Sequence, residues 1–170
     1  MKNKICRIFS FVLTIIMVST PIYAKNYTKT GSVNNAYLTT YRYGYNYSST
    51  VNYDPNTGRI TNASGLGVSN KYCDNSSAVG SFGCSVDVKP SSPAISSNGY
   101  SVSYRVSSEV SSILGSGIPM YVGSQTDVIT VSSPGPSRSV DELIVEVEKG
   151  TLYYNPIHAS KYLITGSNVL

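Results

Sequence analysis

The chain is 170 residues long, with 13 basic and 9 acidic side chains and a formal net charge of +4. Three of the cations, Lys2, Lys4 and Arg7, precede an apolar run from Ile8 to Val18, so past residue 24 the basic and acidic residues nearly balance. That balance excludes a nucleic-acid footprint, which needs Lys and Arg gathered on one face, and a single histidine, His158, excludes zinc sites of the multi-histidine type.

The basic start, the apolar run and Pro21-Ile22-Tyr23-Ala24 follow the order of a secretory signal cleaved after Ala24. The run is shorter than the ~20 apolar residues that span a bilayer. Residues 1–24 therefore read as a signal peptide, and the remainder as a secreted protein with no transmembrane segment. Residues 25–35 are polar and rich in turn formers, which predicts a flexible N-terminal arm. The pattern changes at residue 36.

In YRYGYNY, residues 41–47, tyrosine occupies every second position. Alternation at period two puts Tyr41, Tyr43, Tyr45 and Tyr47 on one face of a strand, where a helix would scatter them. Tyr37, Val51 and Tyr53 continue that face, while Arg42, Asn46 and Ser48 take the other. The next stretch, VNYDPNTGRIT, predicts a hairpin. Pro55 has its φ preset for a tight turn, Asp54 can accept from the turn amides, and Gly58 can supply a left-handed residue. Asp54-x-Asn56 loosely fits a calcium loop, but the glycine is misplaced and no twelfth-position Glu follows.

GLGVSN, residues 65–70, lacks the ending of a phosphate loop, and its glycines suggest a bulge or a bent strand. Cys73 and Cys84 are the cysteines that remain beyond the signal. In an oxidising compartment they should form a disulfide, closing a loop worth about 3 kcal/mol in the chain-entropy model. SFGCSVDV and GYSVSYRVSS alternate cleanly, with the loop KPSSPAISSN between them. GIPMYVG and TDVITVSS read as two shorter strands, the first demoted to an edge or bulge by Pro119.

Beyond SSPGPSR, residues 139–149 can be read two ways. Ser139 and Glu142 suit a helix start, and Val140, Leu143, Ile144 and Val147 share a helical face. The run Ile-Val-Glu-Val-Glu also reads as a strand. The expected fold is therefore all-β, with at most one short C-terminal helix, as an antiparallel β-sandwich. Its core spans 36–133, and 134–170 packs on the same domain as helix or strands.

Catalytic patterns are weak. No Gly-x-Ser-x-Gly elbow occurs, a Cys–His pair would require a free cysteine, and His158 reads as a loop residue. Asp54, Asp74, Asp87, Glu109, Asp127 and Asp141 could in principle pair for glycoside hydrolysis, but most fall at turns or on polar faces. No cofactor or metal is expected. Asn26, Asn46, Asn62 and Asn75 each begin a glycan-acceptor triplet.

The tyrosine ladder leaves two readings open: half of a sandwich core, or an outward binding face that stacks on sugar or peptide. The leading expectation is a secreted, non-enzymatic protein acting by surface binding. Its partner would be a cell-envelope carbohydrate, a protein or a lipid surface, and not nucleic acid. A membrane-active β toxin is the alternative, because lipid and lumen faces alternate in pore-forming strands. A small hydrolase ranks third.

Overall fold

Each alternating run becomes a strand in the computed structural model, which describes residues 24–37, 41–75, 81–114, 119–136, 138 and 142–154. The expected signal peptide up to Tyr23, together with Asp141 and His158, lies outside these residues. The strands are β1 (Lys25–Tyr37), β2 (Tyr41–Asp54), β3 (Arg59–Ala63), β4 (Gly67–Asp74) and β5 (Ser81–Pro90). They continue with β6 (Ala94–Ile95), β7 (Ser101–Leu114), β8 (Pro119–Ser132), β9 (Ile144–Glu148) and β10 (Leu152–Tyr154).

All pairings are antiparallel and fall into two sheets packed face to face. In the first, β2 lies between β1 and an outer lane made of β3 and β4 end to end. In the second, β7 and β8 are central, flanked by β5 and β6 on one side and by β9 and β10 on the other. The protein is an all-β sandwich. Inward positions of β2 meet Val102, Tyr104, Val106 and Ile129 of the second sheet in one apolar cluster, and a smaller cluster gathers Tyr41, Tyr43, Val110 and Val122.

The Asp54-Pro-Asn-Thr-Gly58 hairpin forms as its residues dictate. Asp54 accepts from the Asn56 amide at 2.9 Å and the Thr57 hydroxyl at 2.8 Å, and the Gly58 amide donates to the Asp54 carbonyl at 2.8 Å. These donors hold the exposed Asp54 carboxyl below its usual pKa, the Thr57 hydroxyl most of all. Gly58 has φ +68° and lies against Gly135 and Pro136, so a side chain there meets both strain and backbone. A bulge next to Asn52 pairs Tyr53 with Ile60 and Asn52 with Asn62.

Three expectations need correction. Residues 25–35 are not a flexible arm. They belong to β1, which pairs without a break from Lys25 opposite Tyr53 to Tyr37 opposite Tyr41. The stretch reads as a loop because β1 is an edge strand, with few inward apolar side chains and a polar outward set. Residues 144–148 are strand and not helix, and no α-helix occurs among the described residues. There the open edge of β8 offers a ladder to the Ile-Val-Glu-Val-Glu alternation, which outweighs local helical preference. GIPMYVG and TDVITVSS form one central strand, with Pro119 as its first residue, where proline is tolerated. The extra residue Val122, opposite the step from Val110 to Ser111, switches the strand's inward face from even to odd positions.

The disulfide is present. Cys73 on β4 and Cys84 on β5 have Cα atoms 5.7 Å apart, and the bond staples the two sheets together.

Candidate functional site

Tyr41, Tyr43, Tyr45 and Tyr47 all point into the space between the sheets, and each is at most 6% exposed. As a candidate binding face the ladder is therefore corrected: its rings are core. Their polar tips decide the matter, because a buried phenol needs a partner and the opposite sheet supplies it. Tyr43 donates to Gln125 Oε1 at 2.8 Å, and Tyr45 donates to Asp127 Oδ2 at 3.4 Å. Burial first, and then the Asp127 charge, raise the pKa of both phenols well above the usual tyrosine value. Burial also raises the pKa of Tyr47 and Tyr104. Tyr43, Tyr45 and Tyr104 act as donors, Tyr104 to the Ser64 carbonyl at 3.0 Å.

Asp127 is the residue the sequence reading placed least well. It is fully buried. Its Oδ1 accepts from Gln125 Nε2 at 2.9 Å and the Gly150 amide at 3.2 Å, and its Oδ2 from Asn35 Nδ2 at 3.0 Å as well as Tyr45. A carboxylate taken out of water is tolerable only when its lone pairs are so filled. The network joins β1 and β2 to β8 and the β9–β10 connection, where Tyr43 of one apolar cluster adjoins Tyr45 of the other. The signal was legible: Gln125 and Asp127 share the parity of Ile129 and Val131, so period two already turns them inward.

The remaining candidate acids are dispersed. Asp54 holds its turn. Asp87 pairs with Lys89 at 2.9 Å on an exposed face, and its carboxyl is held below the usual range chiefly by that lysine. Glu109 faces Asp87 across β5 and β7, and Asp74 faces Arg42 across β4 and β2. Among the described residues no group of three or more His, Cys, Asp or Glu could hold a metal ion.

The outward face of the first sheet presents different chemistry. Even positions of β1 and β2 point outward, so the rows across the sheet read Asn26–Asn52–Asn62, Thr28–Thr50 and Ser32–Asn46–Ser69. Two hollows lie on this face. One is bordered by Asn26, Thr50, Asn52, Asn62 and Ser64, the other by Thr30, Ser32, Asn46, Ser48 and Ser69. Around the first hollow the side chains are tied to one another: Asn52 Nδ2 donates to Asn26 Oδ1 at 3.1 Å, Thr61 donates to Asn52 Oδ1 at 2.6 Å, and the Thr28 and Thr50 hydroxyls are 2.8 Å apart. The same geometry accounts for the triplets at Asn26 in β1 and Asn46 in β2, since Asn-x-Ser/Thr along a strand puts amide and hydroxyl on one polar face.

At the far end of this face Tyr72 of β4 is 46% exposed. A Cβ on Gly44 of β2 would lie 2.6 Å from its Cε1, and its hydroxyl donates to Asn34 Oδ1 of β1 at 3.0 Å. A side chain that starts on β4, passes over β2 and ends on β1 lies down on the sheet, and the missing side chain at Gly44 makes its seat. Comparison with protein-family models, characterised proteins and solved structures gives no match. The chain's working surface is read from its own residues.

Proposed function

We propose that this is an exported, non-catalytic binding protein that works through an outward sheet face. One observation carries the reading. The outward rows of the first sheet form an array of amides and hydroxyls, bonded to one another at Asn26–Asn52 and Thr28–Thr50, whereas the buried acid and phenols are spent on holding the sheets together. A disulfide between the sheets and the signal-like start support an extracellular site of action. No helix among the described residues is long and apolar enough to cross a membrane. Strands could still cross one, and β7 and β8, at 14 residues each, exceed the roughly 9–11 a barrel strand needs. The inward face of β8, however, carries Gln125 and Asp127, and the outward face of β7 carries Arg105 and Glu109, so each side of the sheet holds groups costly against lipid.

The test is co-sedimentation of the purified mature chain with a cell-envelope fraction and with lipid vesicles loaded with dye. Saturable envelope binding without dye release is expected. Dye release at low protein concentration would replace this reading with a membrane-active one. Substrate turnover lost on changing His158 or an acidic pair would replace it with a hydrolase.

A further inference from the structure

We infer that the outward face of the first sheet binds a neutral, hydroxyl-rich glycan chain, with Tyr72 as its stacking platform. This deepens the binding reading above and rests on it.

Charge carries the first part. The ends of the face are marked by charged cross-strand pairs, Arg42 opposite Asp74 and Asp54 opposite Arg59. Between them the outward positions of the paired rows, from Asn34–Gly44–Tyr72 to Asn26–Asn52–Asn62, hold no charged side chain; Lys29 has the inward parity of β1, and Lys71, in the β4 bulge, acts on Asp87 of the second sheet. The outward face of the second sheet, in the same chain and the same solvent, carries Asp87, Lys89, Arg105, Glu109, Glu146 and Glu148. A surface meant only for water has no reason to differ so. An uncharged, amide- and hydroxyl-lined face complements a ligand whose groups are themselves neutral donors and acceptors. It does not complement a nucleic acid or an anionic polymer.

Geometry carries the second part. The Asn26–Asn52 and Thr28–Thr50 bonds hold the side chains in place before any ligand arrives, which reduces the ordering cost of binding. Tyr72 reaches across Gly44 to Asn34, where its hydroxyl is tethered, and it is 46% exposed, so aromatic surface is offered to solvent on this face of the sheet. The electron-rich face of an aromatic ring attracts the weakly positive C–H face of a pyranose. From Asn34 to Asn26 the rows run about 26 Å along the strands, an open track suited to a polymer and not to a small molecule. A polypeptide partner fits less well, because protein interfaces are rich in aromatics, Met and Arg and poor in Ser.

The experiment is envelope co-sedimentation with wild-type protein, Tyr72→Ala and Ser32→Arg. The second variant puts charge on the track without touching the core. The envelope is used untreated, protease-treated and periodate-oxidised, at low and high salt. Wild-type binding should survive protease and high salt and vanish after periodate, and both variants should bind about tenfold more weakly. Binding that survives periodate, which cleaves vicinal diols, or that high salt abolishes, overturns the assignment to a neutral glycan rich in adjacent hydroxyls. Variants that bind like wild type overturn the site while leaving the broader binding reading intact. Wild-type protein that binds no envelope removes both.

Discussion

Asp127 places a carboxylate between two sheets, and Asn35, Gln125, Tyr45 and the Gly150 amide all donate to it. Replacing Asp127 with Ala leaves those donors unsatisfied and opens a cavity, so unfolding in urea should show a loss of about 3–5 kcal/mol. Asp127→Asn keeps the shape but turns an N–H₂ group toward existing donors, and should cost about 1–3 kcal/mol. A loss below about 1 kcal/mol for Ala would mean the network does not hold the sheets. The buried phenols add a pH dependence of defined sign. Tyr43 and Tyr45 have folded pKa values raised above the unfolded value of about 10. Their stabilisation is complete below that value and is lost as pH rises past it, because the unfolded chain then releases protons that the folded one keeps. Stability measured above about pH 10 should fall less steeply in the Tyr43→Phe, Tyr45→Phe double variant than in wild type. Equal slopes would contradict the assignment.

Strands and turns differ in how far local chemistry commits them. The 54–58 turn is committed twice, by Asp54 bonding its own turn and by Gly58 at positive φ against Gly135 and Pro136. Gly58→Ala should lower stability by about 1–3 kcal/mol in thermal melts. Gly65→Ala, in open space at ordinary φ, should change it by less than about 0.5 kcal/mol. Similar losses at both positions would show that the turn is not specified by Gly58. This hairpin and the β2 alternation were legible because their causes lie within a few residues. β1 was not. Its Ser, Thr, Asn and Lys content resembles a loop, and what makes it a strand is backbone bonding to β2, which side-chain type does not encode. The strand at 144–148 was legible only as an alternative, since its decisive partner is the edge of β8. At the candidate site, Tyr72 and Gly44 were each visible in the sequence, but their apposition depends on a β2–β4 register interrupted by a bulge at Asn70 and Lys71.

At the scale of the molecule, the described residues hold two sheets together by an apolar interior, buried hydrogen bonds around Asp127 and between Ser49 and Tyr104, and the Cys73–Cys84 bond. The Cys73–Cys84 loop is short, with a sequence separation of 11, so Cys73→Ser with Cys84→Ser should cost about 3 kcal/mol and move the urea midpoint accordingly. The double variant should retain the far-ultraviolet signature of β structure. Loss of that signature would mean that the core cannot hold the sheets together without the bond.

By itself the sequence determined the β class, the period-two face of 41–53, the 54–58 hairpin and the cysteine pair, because neighbours along the chain settle each of these. Only the tertiary structure decided what covers each face. It turned the tyrosines inward onto Gln125 and Asp127, drew 25–37 and 144–148 into sheets, and left the uncharged rows of the first sheet facing out. Alternation sorts side chains into two sets, but which set is buried depends on the shape and hydrogen-bonding groups of a partner sheet far away in the chain.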